Sequence, residues 1–295
     1  MIKKILVTIL AVVFSLSVVA CSQNKEASTE KQKTIKLGVI PTDDNADVSA
    51  MYKPVAEYLK KETGMNVELF LANDYTAVIE AMKNDKIDIA RLGAFSYVLA
   101  ADQTKVEPLV AEISKKTGDK FYTSLLIAQN DSSIKSIKDL KGKTVAFVDP
   151  ASSSGNLVPR KWLLDNGIDP EKDLKEVIYS GGHDASVLAV ENKKVDAAFV
   201  AVNIYGDMKQ KGMTKNTASI GESEKIPTQP IAARSDLDPQ TIEKLRKAFI
   251  EMDKNAPEIL KSFKEAKGFT SVEDKEFDGL RKLAKLLNLD LNKIE

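Results

Sequence analysis

From residue 35 onward, short apolar runs alternate with amphipathic stretches of helical period, a pattern that predicts an α/β protein. Lys36 to Ile40 reads as a buried strand. A helix follows from about Ala50 to Thr63, closed by Gly64, a residue suited to the left-handed position after a helix end. Val67 to Leu71 and Ile87 to Leu92 are two further strands, followed by helices at Tyr75 to Asn84 and Phe95 to Thr104. A second set begins after an extended stretch, Phe121 to Gln129. Its strands are Thr144 to Val148, Val177 to Tyr179 and Val195 to Val200, and its helices are Leu157 to Asn166, Ala185 to Asn192 and Ile204 to Lys211. Ile226 to Ala233 is extended and interrupted by Pro227 and Pro230. Helical segments at Pro239 to Lys254, Pro257 to Lys267 and Val272 to Leu287 close the chain. Strand–helix order of this kind builds a mainly parallel sheet with helices on both faces. Two such sets joined by two extended crossings predict two lobes, residues 35–125 with 231–295, and residues 126–230. Ligands in such sheets gather at the carboxyl ends of strands, where helices begin.

The amino-terminal pattern is different. Lys3 and Lys4 precede an apolar run from Ile5 to Ala20, broken only by Thr8, Ser15 and Ser17. The run falls short of the roughly 20 residues a membrane-crossing helix needs. A basic start, a short apolar stretch and small residues before a break mark an export signal, residues 1–20. Val18-Val19-Ala20-Cys21 resembles the lipobox of bacterial lipoproteins, which implies a diacylglycerol on Cys21. Two acyl chains suffice for stable membrane attachment. The expected location is therefore the extracytoplasmic face of the cell membrane. Ser22 to Thr34 has no large apolar side chain, so residues 21–34 read as a flexible tether.

Composition narrows the chemistry. The 295 residues allow two ordinary domains. Acidic and basic side chains balance at 43 each, and loss of Lys3 and Lys4 leaves 41 basic against 43 acidic. A nucleic-acid binder usually carries a basic excess, so none is expected as a partner. One cysteine excludes a disulfide framework and a thiolate-built metal site, and one histidine excludes a multi-histidine centre. Asp43, Asp44 and Asp47 lack the spacing, central glycine and final Glu of an EF-hand. Neither metal nor cofactor is expected.

The richest stretch is Asp149-Pro150-Ala151-Ser152-Ser153-Ser154-Gly155-Asn156, between a strand and a helix with Pro159 in its first turn. A helix start offers unpaired N–H groups and partial positive charge, and so attracts anions. The serines add hydroxyl donors, and Gly155 lets the backbone approach a ligand. No Lys-Ser/Thr pair follows a glycine run, so this is not a nucleotide P-loop. The triplet also reads as an ordinary turn with one serine as N-cap. His183, in Gly181-Gly182-His183-Asp184, lies at another strand-to-helix junction; neutral it donates one hydrogen bond, protonated two. A lone loop histidine is also a common surface residue. Asn73-Asp74-Tyr75-Thr76 and Gly93-Ala94-Phe95-Ser96-Tyr97 offer an opposing wall from the first lobe. There Tyr75, Ser96 and Tyr97 are candidate ligand contacts, and the tyrosines read equally as helix packing.

Together these residues resemble the phosphate/phosphite/phosphonate-binding family of ABC-transporter substrate-binding proteins, over roughly Ile35 to Lys267. The resemblance is carried by Asp74-Tyr75 with Val78-Ile79-Glu80-Ala81, and by Asp88-Ile89-Ala90 with Gly93 and Ser96. Asp149-Pro150 with Ser152-Ser153-Ser154-Gly155 and Pro159, Gly182-His183, and Val195-Asp196-Ala197 complete it. It implies a two-lobed type II periplasmic-binding-protein fold with a two-strand hinge. The phosphorus oxyanion would rest on Ser152, Ser153, Ser154 and His183, with Tyr75 and Tyr122 closing over it. Family members that bind 2-aminoethylphosphonate use two carboxylates for the ammonium group. The matching positions here are Asn203 and Gln229, and a two-residue shift in alignment would put Tyr205 in place of Asn203. An amide compensates a buried ammonium poorly, which points to phosphite, methylphosphonate or another amine-free oxyanion.

The implied role is the solute-binding component of an importer, working as a monomer with a permease and an ATPase. Two rivals stand beside it. One keeps the fold and exchanges the ligand for a sulfonate, phosphate or an unrelated small molecule. The other is a Ser/His hydrolase, but the turn lacks the Gly-x-Ser-x-Gly elbow, so no enzyme activity is expected.

Overall fold

The computed structural model describes residues 33–263 and 266–291; residues 1–32, with the leader, Cys21 and most of the tether, lie outside the described residues. Thr34, the expected end of the tether, already pairs in the first strand. The first lobe opens with β1 (Thr34–Val39), α1 (Asn45–Thr63), β2 (Asn66–Leu71), α2 (Tyr75–Lys83), β3 (Ile89–Arg91) and α3 (Ala94–Gln103). The Asp44 carboxylate accepts the Ala46 N–H to start α1, and Gly64 at φ 74° ends it by donating to the Lys60 carbonyl. Asp74 starts α2 in the same way, accepting from Ala77.

The chain then follows β4 (Val106–Ser114), β5 (Phe121–Tyr122) and β6 (Ser124–Gln129) into the second lobe. There β7 (Thr144–Phe147) leads through a π-helical turn (Ser153–Leu157) into α4 (Val158–Asp165). Next come β8 (Glu176–Tyr179), α5 (His183–Glu191), β9 (Ala197–Ala201), α6 (Val202–Gln210) and β10 (Thr217–Glu222). The return runs through β11 (Ile226–Pro227) and β12 (Pro230–Arg234) to α7 (Pro239–Ile250), α8 (Met252–Asn255) and α9 (Pro257–Ser262). It ends with β13 (Ala266–Thr270) and α10 (Asp278–Leu286).

One sheet has the order β13-β4-β12-β3-β1-β2, the other β10-β6-β9-β7-β8, and β5 pairs with β11 between them. Leu37 of β1 faces Leu69 and Ile89 in the parallel part of the first sheet. The sheets are mixed rather than mainly parallel. β12 arrives from the other lobe and so enters at the opposite end, which makes it antiparallel to both β3 and β4. β6 does the same against β9 and β10 in the second sheet. The hinge strands thus dictate the direction of their own continuations.

Three strands, β4, β10 and β13, are not visible in the hydrophobic pattern, and the helix expected over Pro257 to Lys267 stops at Ser262. In β4 the alternation is disguised by Pro108 and by Glu112, a carboxylate buried to 1% exposure because Arg91 pairs with it. β10 and β13 are rich in small, hydroxyl and glycine residues that carry little apolar signal. One apolar cluster joins Phe95 and Val98 of the first lobe to Val148, Leu157 and Val200 of the second. Two others fill the remaining faces, around Leu37 and Phe249 and around Phe147 and Phe199.

Candidate functional site

The serine turn is built by its own side chains. Asp149 Oδ1 accepts the Ala151 N–H at 2.7 Å, and Ser152 Oγ accepts the Gly155 N–H at 3.0 Å, so Ser152 is the helix N-cap. The Leu157 N–H reaches back five residues to the Ser152 carbonyl at 3.0 Å. The helix therefore starts at Ser153 rather than Leu157, and Ser153 and Ser154 form its first turn. Backbone N–H groups at that position have no intrahelical acceptor. Gly155 is required by space, since a Cβ there would lie 2.4 Å from Val148 Cβ. All three serines are buried.

His183 opens α5, at another strand-to-helix junction of the second lobe. Its Nδ1 accepts the Ala201 N–H at 3.0 Å, which places the ring hydrogen on Nε2. Burial, reinforced by the charge of Arg91, lowers its pKa to about 3. At neutral pH the ring is uncharged and offers one donor, so its two-donor form plays no part. With a backbone amide on Nδ1 instead of a carboxylate, the orienting group of a Ser/His hydrolase is not there. Burial also raises the pKa of Asp149.

The first lobe closes over this surface. The Phe95 N–H, in the first turn of α3, donates to Ser153 Oγ at 2.8 Å. The Tyr75 N–H, at the start of α2, donates to Asp149 Oδ2 at 3.4 Å. From the β5–β11 hinge, the Tyr122 hydroxyl donates to Ser154 Oγ at 3.2 Å. The His183 N–H donates to the Thr42 carbonyl, and the Asp44 N–H to Asp184 Oδ2, both at 3.2 Å. Helix starts from both lobes thus meet where the lobes face each other. Because Ser153 and Ser154 accept these bonds, their own hydroxyl hydrogens remain available to an anion. Arg91 stands behind, in bidentate contact with Glu112 at 3.0 and 3.5 Å, in a wall shared with Thr42, Tyr52, Ile204 and Phe263.

The other expected residues divide. Ser96 is buried in α3 and donates to the Gly93 carbonyl at 3.1 Å; a Cβ on Gly93 would sit 3.8 Å from Ser153 Oγ. Ser96 therefore lies close behind the crevice and tightens the start of α3. Tyr97 is a correction: its hydroxyl donates to Asp274 and its ring packs on Phe277, with centroids 4.7 Å apart, so it faces away from the crevice into the first lobe. The Tyr205 hydroxyl donates to the Thr217 carbonyl at 2.9 Å. Gln229 is buried between β11 and β12. Asn203 lies in the first turn of α6 and lines a groove of about 400 Å³ with Lys115, Asp207 and Phe263; its buried Oδ1 has no hydrogen-bond partner among the described residues. Neither amide is hydrogen-bonded to the serine turn or to His183. The sequence reading missed the backbone donors of Phe95 and Ala201, which no residue type announces, and the buried Arg91.

Residues 37–277 match the family described as ABC transporter, phosphonate, periplasmic substrate-binding protein. The chain is 35% identical to the phosphate-import protein PhnD of Mycolicibacterium smegmatis, with 89% of each chain covered. It is 30% identical to the phosphonates-binding periplasmic protein of Escherichia coli, covering 83% of this chain and 73% of that one. Among solved structures it is similar to a binding-protein component of an ABC phosphonate transporter from Pseudomonas aeruginosa, with a TM-score of 0.81, 30% identity and 87% of each chain covered. The chain belongs to the periplasmic phosphonate substrate-binding proteins of ABC transporters, a family of binding proteins and not of enzymes.

Proposed function

We propose that the protein captures a small phosphorus oxyanion without an amine, phosphite or methylphosphonate, between lobes formed by residues 35–125 with 231–295 and by residues 126–230. The observation that supports the reading is the set of contacts at the serine turn: Ser153 Oγ accepts the Phe95 N–H and Ser154 Oγ the Tyr122 hydroxyl, which leaves both serine hydrogens to donate, and His183 accepts on Nδ1, which leaves Nε2–H to donate, all of them buried. Ser152 shapes the turn, Ser96 tightens the facing helix, and Tyr75 and Tyr122 close over the ligand. Such a site holds an anion through oriented dipoles and needs no opposing charge from the protein. The ligand favours the shut state because the contacts of the two lobes meet on it only there. Asn203 and Gln229 supply amides where an ammonium would need carboxylates.

In this reading Cys21 carries the lipid, residues 21–34 form the tether, and the loaded protein delivers its cargo to a permease and ATPase as a monomer. Phosphate is the second candidate ligand, favoured by the name of the mycobacterial relative. A thermal-shift panel of phosphite, methylphosphonate, 2-aminoethylphosphonate, phosphate and ethanesulfonate separates the readings. A native-state binder raises the midpoint in a concentration-dependent way. The proposal expects the largest shift from phosphite or methylphosphonate. A larger response to 2-aminoethylphosphonate, phosphate or ethanesulfonate contradicts it.

A further inference from the structure

Behind the serine turn lies a polar network that touches none of the crevice groups. Asn156, 3% exposed, donates from Nδ2 to the Pro150 carbonyl at 2.7 Å, which ties the far side of the turn to its entry. Its Oδ1 accepts Arg160 Nε at 2.8 Å and the Tyr179 hydroxyl at 3.3 Å. Arg160 also donates to Tyr179 at 2.9 Å and to Glu171 at 2.6 Å, and its guanidinium sits 5.3 Å over the Phe147 ring. Entry, turn, helix α4 and strands β7 and β8 are thereby linked through one carboxamide and one guanidinium.

The turn they hold is unusual. A π-helical turn is rare, and it occurs mostly as a single turn within or next to an α-helix, frequently at functional sites. Here Leu157 and Val158 reach back five residues, to Ser152 and Ser153, which sets the rotation at which Ser153 and Ser154 leave the helix. Relaxation to an ordinary α-turn would rotate both hydroxyls. The Asn156 bond to Pro150 spans the segment that would have to move.

We propose that Asn156 and Arg160 are positioning residues that hold the π-helical turn, and through it aim the Ser153 and Ser154 donors at the bound oxyanion. The inference rests on the proposed function for the identity of the ligand, but its structural half does not. Hydrogen exchange on the unliganded protein tests that half: Asn156→Ala and Arg160→Ala are expected to speed exchange of the Leu157 and Val158 amides and leave the later amides of α4 protected. Lys161→Ala, on the same helix but off the network, serves as control. Calorimetry with methylphosphonate and phosphite then reads the consequence, an affinity about tenfold to a hundredfold weaker, as expected for donors displaced by a fraction of an ångström. The Asn156→Ala/Arg160→Ala double variant should lose no more than the stronger single variant, because both act through one brace. Unchanged exchange at Leu157 and Val158, additive losses, or an equal loss in Lys161→Ala overturns the inference. Failure of the unsubstituted protein to bind either probe overturns the ligand assignment instead, and leaves the exchange result to decide the brace.

Discussion

His183 shows how far a single residue can be read in advance. Its place between a strand and a helix marked it as a candidate, but its charge state depends on what surrounds it. The ring is buried, held through Nδ1 by the Ala201 amide, and has a pKa lowered to about 3 by burial and by Arg91. Below the unfolded value of about 6.5 the unfolded chain takes up a proton that the folded chain refuses, so acid favours unfolding. Stability should be insensitive to this ring above about pH 7.5 and fall by up to about 1.4 kcal/mol per pH unit as pH drops from about 6 toward 3. Chemical denaturation of the wild type and His183→Gln between pH 7.5 and pH 5, where carboxylates still ionise, isolates the effect. The wild type should lose stability across that window and the variant should stay nearly flat. Parallel slopes would mean that the ring is not buried neutral. Tyr97 marks the opposite limit. Residues 94–100 of α3 are buried without a break, so no polar stripe told which way its side chains point.

At the scale of elements, apolar alternation revealed the parallel strands and their helices because each has one sign of environment along its length. It failed where polar groups are buried in pairs, as at Glu112 of β4, and where strands are built from small residues, as in β10. The serine turn was placed correctly between β7 and α4, but its helix begins at Ser153, inside the motif, which shifts the serines from loop to first turn. That placement makes a prediction at Gly155. Its missing side chain leaves room for Val148, whose Cβ and Cγ2 would each stand 2.4 Å from an added Cβ, with Ser152 Oγ at 2.9 Å. Overpacking of this kind costs about 1–3 kcal/mol. Gly155→Ala should therefore lower the melting midpoint and weaken anion binding together. A variant that melts and binds like the wild type would show that the turn has room to spare.

Across the whole molecule, two lobes joined by paired extended crossings were legible from the order of elements and from family likeness. The contacts that join the lobes were not, because most of them use backbone groups: the N–H of Phe95, Tyr75, Asp44 and His183, and the carbonyl of Thr42. Side-chain chemistry advertises itself in a sequence; a backbone donor becomes significant only when folding aims it. The same feature explains how a chain with balanced charge can hold an anion. In the proposed reading the potential at the site comes from helix starts and hydroxyls, and net charge has little to do with it.

The most direct test of this account is a calorimetric titration of methylphosphonate into the wild type and into a Ser153→Ala/Ser154→Ala variant whose thermal midpoint has been matched against it. If the two hydroxyls grip the phosphorus oxyanion, the wild type binds one equivalent and the variant loses at least about tenfold in affinity, on the scale of charge-assisted hydrogen bonds. Equal affinities for the two proteins would place the anion somewhere other than the serine turn.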